Sequence, residues 1–349
     1  MILIIVHHYV VNSGLFQIIQ NTPQSISTTS MLILGGWGKV GINCFVMITG
    51  YYMCKSKMSV DKLVKLYLQI TFYSVIIYTI FCFTGHEQMG LNGFIRIFIP
   101  VHGLTTDFVS CFLVFYLFIP FINIFLSQLS RKTHLTLIVF LSTIYIILPS
   151  IPKFYLTFNY FNWFIVVYLI GSYIRLYGLS GRISHRMWGL ATIVLIIFGS
   201  LSVFLMEYLY KIGYTTSYRP YFFIIDSNKL LAILPAITSF MYFKDLRIPH
   251  SRFINALGSA TFGVLLIHAN SNAMRQWLWK ETVDCIGHFG FSALWNVAYA
   301  LSTSLIIFFV CAGIDWFRGR FLEPTMITYF TKALSRIRHK MNSISIYER

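Results

Sequence analysis

Ten mainly apolar stretches, each ended by a short polar loop, follow one another along this chain, near 1–19, 34–54, 64–84, 107–127, 134–150, 160–177, 187–209, 221–243, 254–279 and 292–314. A helix needs about 20 such residues to cross the hydrocarbon of a bilayer. In lipid every backbone N–H and C=O must find its partner within the protein, so runs of this length read as helices. The pattern predicts an all-α polytopic membrane protein with about ten transmembrane helices. Only 11% of the residues are charged, against about 25% in soluble chains, and the mean hydropathy is +0.70. Lipid is therefore the expected solvent.

The net charge of +16 admits nucleic acid, anionic lipid or an anionic substrate as partner. The basic residues decide between these by position. One set of alternate loops together with the C-terminal segment holds nineteen Lys and Arg, the other set five, and Lys39, Lys229 and Arg275 lie inside spans. Short cytoplasmic loops collect positive charge, so the expected localisation is a multi-pass cell-membrane protein with both termini cytoplasmic. Nucleic-acid binding is not expected. Residues 1–317 form the transmembrane domain in this reading and 318–349 a basic cytoplasmic tail, which suits an anionic membrane lipid surface.

Residues 85–106 are too polar and too rich in Gly and Pro for a span and predict an outer loop with a short helix on the bilayer. Met1 opens directly on an apolar run with no basic n-region, which argues against a removable signal peptide and leaves the first helix clipped at its cytoplasmic end. The six cysteines suggest neither a disulfide framework nor a zinc spacing, and Cys285 is placed alone in an outer loop. No metal is expected.

Strongly polar groups inside spans cost about 2.5 to 3.5 kcal/mol each at mid-bilayer and so mark cavities or function. His7 and His8 stand in the first span, His8 roughly 10 Å along the helix from Met1 and just inside the membrane from the cytoplasmic side. Adjacent helical residues point about 100° apart, so at most one of them is expected to line a common cavity. The equally weighted alternative is two structural histidines bonded to neighbouring helices. Lys39, Asn43 and Thr49 share the second span with Gly35, Gly36, Gly38, Gly41 and Gly50, either a close-packed seam or room for a ligand. Asp226 and Lys229 predict a neutralising pair on one face of the eighth span. His268, Asn270, Asn272 and Arg275 make the ninth span the most polar and suggest a wet cavity there. Lys55, Lys57, Lys62 and Lys65 would suit the phosphates of a nucleotide-like donor, although positive-inside topology alone places lysines there too. Walker-type, dinucleotide, HExxH and GxSxG signatures are missing.

In order along the chain stand IIVHHYVVNSG (4–14), GKVGINCFVMITGYY (38–52), KLVKLYLQITFYS (62–74), FLVFYLFIPFIN (112–123), FNWFIVVYLIGSYIRLYG (161–178) and FGVLLIHANSNAMRQWLW (262–279). With these six motifs the sequence resembles the acyltransferase family 3 membrane proteins, particularly the surface-polysaccharide O-acetyltransferases. The resemblance implies transfer of an acyl group, usually acetyl from acetyl-CoA as co-substrate, to a hydroxyl of a cell-surface glycan or a lipid-linked sugar acceptor. It puts the catalytic histidine at His8, directly before Tyr9, with His7 as the second candidate, and the donor-binding basic pair at Lys62 and Lys65, joined by Lys39. Asn43, Thr49, Tyr51, His268 and Asn270 are the expected cavity or substrate-binding residues. Where this sequence has that lysine pair the family has arginines, Thr49 stands in place of a serine, and the family's arginine upstream of the histidine has no counterpart. A buried neutral imidazole, with an ordinary pKa near 6.5, can take the acceptor's proton or carry the acyl group itself. A transporter or flippase for a glycan precursor, and an inactive family member, are the alternatives left open.

Overall fold

The computed structural model describes residues 1–22, 25–101, 107–152, 154, 158–179, 183–290 and 292–332. Among them there are helices and no strand. In chain order the helices are α1 (Ile2–Val11), α2 (Leu15–Asn21), α3 (Ile26–Gly35), α4 (Gly38–Met53), α5 (Val60–Phe83), α6 (Leu91–Phe98) and α7 (Phe108–Ser127). They continue as α8 (Arg131–Ser150), α9 (Tyr160–Tyr177), α10 (His185–Lys211), α11 (Leu230–Lys244), α12 (Arg252–His268), α13 (Asn272–Thr282) and α14 (Ala293–Lys332).

By length and composition six helical segments can cross a membrane, with α3 and α4 counted as one, and eight if each bent pair is a single span. The pairs are α1 with α2, bent by 58°, and α12 with α13, bent by 95°. The other two expected spans differ in kind. α9 buries eleven of its eighteen residues, so most of its length is packed against protein, with Asn162 and Arg175 exposed near its two ends. α11 has only 15 residues, about 22 Å at 1.5 Å per residue, because residues 221–229 form turns.

Those turns overturn the expected Asp226–Lys229 pair. Lys229 sits at the N-cap of α11 and its ammonium donates to the Pro149 carbonyl. Cys285 is likewise fully buried rather than exposed in a loop, and all six cysteines are free. The short surface helix expected within 85–106 is α6, with Leu91, Phe94, Ile95 and Phe98 exposed; residues 102–106 lie outside the described residues. So does the tail from residue 333. Before that point α14 runs unbroken across Arg318, which is buried.

Glycines set the central packing. A Cβ at Gly50 would lie 2.7 Å from the Tyr168 carbonyl oxygen, and one at Gly171 2.6 Å from that of Met47, so α4 and α9 touch backbone to backbone. On another side of this strip a Cβ at Gly35 would meet Val10 at 2.7 Å and one at Gly41 would meet Ile4 at 3.0 Å, while Gly38 abuts the His7 ring. The glycines are therefore a packing seam, and they hold α1 antiparallel to α3 and α4.

Candidate functional site

This antiparallel seam fixes the depth of the histidines. His7 lies against Gly38, fifteen residues from Met53 at the lysine-rich end of α4, or about 22 Å up the helix. The expected position just inside the lysine-rich face is thus corrected. α1 packs beside the upper half of α4, and its first residues stand level with Gly41 rather than with the lysines.

Both histidines line one cavity of about 130 Å³, together with Gly38, Lys39, Asp107, Tyr160, Leu265, Ala269 and Arg275. The expectation that only one could do so fails because the cavity wraps around α1. It touches α4, the start of α7, the start of α9 and the bend between α12 and α13.

Hydrogen bonds assign the tautomers. His268 Nδ1 lies 2.6 Å from the Val264 carbonyl oxygen, and a carbonyl can only accept, so this nitrogen carries the proton. Nε2 of neutral His268 is then an acceptor, 3.1 Å from His8 Nδ1. His8 must donate there, which leaves the lone pair on its Nε2. Among the described residues that atom has no partner. His7 follows the same logic: its Nδ1 donates to the Gly35 carbonyl at 2.6 Å, leaving Nε2 unprotonated. The Val264 carbonyl thus orients His268, and His268 orients His8, since the bond made by one ring nitrogen fixes the state of the other.

The end of α12 explains why these groups converge. At the 95° bend the side chain of His268 bonds the Val264 carbonyl, that of Asn270 donates to the Leu266 carbonyl at 3.0 Å, and Arg275 reaches the Ala269 carbonyl at 3.4 Å. Carbonyls of a last helical turn lack successors and need such partners. The polar stripe read in the ninth span is therefore both the cap of a broken helix and one wall of the cavity.

Other expected site residues separate. Lys39 is in the cavity, its ammonium donating to the Tyr160 hydroxyl at 3.1 Å. Asn43 is fully committed: its amide donates to the Ser227 and Ala232 carbonyls at 2.7 and 3.2 Å and its oxygen accepts from Trp163 Nε1 at 2.8 Å. The Thr49 hydroxyl donates to the Phe45 carbonyl within its own helix. Tyr51 accepts from Arg175 at 3.2 Å under the guanidinium. Neither of these lines the histidine cavity. Asn270 lines a smaller void of about 90 Å³ that shares Asp107, Val109, Leu265 and Ala269 with it and extends to Ile70 and Ser74 on α5.

Lys65 instead lines a cavity of about 300 Å³ at the basic end, with Gln69, Asp315, Arg318, Arg320 and Glu323. There Asp315 accepts from Gln69, Tyr73 and Arg318, and Glu323 bridges Arg318 and Lys65 at 2.7 and 2.6 Å. Lys62 bonds Ser56 and the Lys57 carbonyl outside it. Sequence reasoning missed Asp107 and Tyr160. They open helices after loops, where nothing in the local pattern announces a contact with α1. No group of three or more potential metal ligands occurs among the described residues.

A family model described as an acyltransferase domain matches residues 1–316. No curated protein and no solved structure matches the chain.

Proposed function

From the premise that the chain belongs to acyltransferase family 3, we propose that it is an integral membrane O-acetyltransferase in which His8 is the general base. The observation that carries this reading is the carbonyl-anchored pair of His268 and His8, whose free Nε2 lines a cavity with two cations.

The chemistry follows from those atoms. His8 Nε2 takes the proton of an acceptor hydroxyl as its oxygen attacks the thioester carbonyl. The imidazolium so formed is held by its Nδ1–H bond to His268. Negative charge on the tetrahedral oxygen falls near Lys39, steadied by Tyr160, and Arg275, in a site small enough to exclude bulk water. Collapse expels the thiolate of CoA, which recovers the proton from Nε2. His7, with its own free Nε2, is placed to accept a second hydrogen bond from the acceptor. A volume of about 130 Å³ equals roughly four waters at about 30 Å³ each, which favours acetyl over long acyl chains.

Acetyl-CoA is the donor in this reading, with its phosphates at Lys65 and Arg320 and Lys62 at the rim. The pantetheine arm is routed in this reading along α5, past Gln69 of that cavity and past Ile70 and Ser74 of the void that lies beside the histidine cavity. Nine residues of α5 separate Lys65 from Ser74, about 14 Å, which the extended pantetheine arm covers. The acceptor, a cell-surface glycan or lipid-linked sugar, approaches from the opposite face. With α9 and α11 added to the eight segments the chain crosses the cell membrane ten times. The C-terminal end is then cytoplasmic, in keeping with the nineteen-to-five split of basic residues, and α1 points its N-terminus toward the same side from the level of Gly41. The transmembrane acyltransferase domain spans 1–317, followed by the basic tail.

The test is glycan acetylation in cells carrying His8→Ala at unchanged protein level. Loss of acetylation is expected, and normal acetylation would refute the assignment. Consumption of acetyl-CoA by the purified protein in the presence of acceptor separates this enzyme from a flippase.

A further inference from the structure

A second polar cavity, of about 190 Å³, adjoins the histidines on the far side of Arg275. It is lined by Asn12 and Gln17, which flank the bend after α1, and by Asn272, Arg275, Gln276 and Lys280 of α13. Arg275 lines both cavities. The backbone N–H of Asn12 donates to the His8 carbonyl at 2.9 Å, so the two residues are one turn apart, about 5.4 Å along α1.

This cavity belongs to the end of the bundle opposite the lysines. α14 begins beside the loop after α13, where Tyr299 donates to the Val283 carbonyl at 2.8 Å, and reaches the basic end at Glu323, paired with Lys65. The thirty residues between Ala293 and Glu323 span about 45 Å.

Its chemistry is specific. Four side-chain amides face one space, and among the described residues none of them has a hydrogen-bond partner. Each offers both donors and an acceptor, as sugar hydroxyls do in return. The two cations have no carboxylate beside them in the lining. Arg275 Nε is buried with no partner, a state that is costly until something accepts from it. A carboxylate or phosphate answers a guanidinium best.

Resting on the acyltransferase reading, we propose that this cavity is the acceptor subsite and that it takes a sugar bearing a negative charge, either a carboxylate or a phosphate. The four amides bind its hydroxyls, Arg275 and Lys280 bind its anion, and the hydroxyl to be acylated passes Arg275 to reach His8.

The test is isothermal titration of the full-length protein in lipid nanodiscs with three probes. These are a glucuronate-containing disaccharide, its carboxyl-reduced neutral counterpart, and that neutral disaccharide phosphorylated at one hydroxyl. The charged probes are expected to bind at least about tenfold more tightly than the neutral one, and whichever of the two binds more tightly tells carboxylate from phosphate. Lys280→Gln is expected to remove most of that preference. Equal binding of charged and neutral probes, no binding of any, or an unchanged preference in Lys280→Gln would overturn the proposal. The comparison among probes on the unaltered protein needs no variant to fold. Parallel measurement of acetyl-CoA consumption keeps the two readings apart. Charge-selective binding without any His8-dependent consumption sinks the enzyme and leaves the site, and His8-dependent consumption with charge-blind binding sinks the site alone.

Discussion

Replacing His268 tests whether the second imidazole acts through the first. His268→Ala removes the acceptor of the His8 Nδ1 proton, 3.1 Å away, in a part-buried pair whose His268 is fully buried. An orphaned buried donor costs about 1–3 kcal/mol, and His8 escapes that cost only by turning or by moving its proton to Nε2, which abolishes the base. At about 1.4 kcal/mol per factor of ten, acetyl transfer is expected to fall roughly 5- to 150-fold in kcat, with the KM for acetyl-CoA unchanged. His8→Ala is expected to fall further, by about 10²–10⁴-fold, the usual contribution of a general base. His268→Gln is the informative rescue. Its amide nitrogen can donate to the Val264 carbonyl while its oxygen accepts from His8, so it should retain most of the activity that alanine loses. The assay is acetyl transfer per folded molecule in nanodiscs, with thermal unfolding of each variant as the control for folding. Because His268 acts only through His8, the double alanine variant should be no slower than His8→Ala. Equal activity of His268→Ala and the unaltered protein, or equal activity of the Ala and Gln variants, would refute the tautomer argument.

Four further outcomes follow from the contacts around these residues. Gly50→Ala places a methyl 2.7 Å from the Tyr168 carbonyl oxygen, which cannot yield without moving α9, so the unfolding temperature should drop by the equivalent of about 1–3 kcal/mol. Gly258→Ala, with open space around it, should not lower it. Asn43→Leu orphans Trp163 Nε1 and two carbonyls, at about 1–3 kcal/mol for each group left buried. Detergent-solubilised protein should unfold earlier while its KM for acetyl-CoA stays put, as befits a structural residue. Asp315→Ala leaves the buried Arg318 paired with Glu323 alone and removes the acceptor of Gln69 and Tyr73, at about 1–3 kcal/mol for each group left buried, seen as loss of monodisperse protein on size exclusion. Lys65→Gln, whose side chain is 55% exposed, should cost about 1 kcal/mol or less yet raise the KM for acetyl-CoA.

What the sequence could carry and what it could not divide along a physical line. Apolar runs are local, so an all-helical chain was legible, but six segments, or eight with the bent pairs, rather than ten are long and apolar enough to cross a membrane, and whether a helix is wrapped by lipid or by protein is not a local property. α9 is packed against protein over its middle, with Asn162 and Arg175 at exposed positions near its two ends, and α11 is cut short by turns that the hydropathy of 221–229 conceals. The polar residues of spans one, two and nine were legible as unusual because burying them is costly anywhere. Their roles were not, since a role depends on which partner is within hydrogen-bond reach. Asn43 and His8 look alike as intramembrane polar groups, yet every strong bonding position of the first is occupied within the protein and one nitrogen of the second is open. That difference rests on residues 120 and 260 positions away. An intramembrane polar residue with all its bonds made at home is part of the scaffold, and one left with an unused lone pair beside a cavity is where reactants are met. By that criterion His8 and His7 are the groups we propose to meet the reactants, with His8 positioned by His268 and His7 by the Gly35 carbonyl.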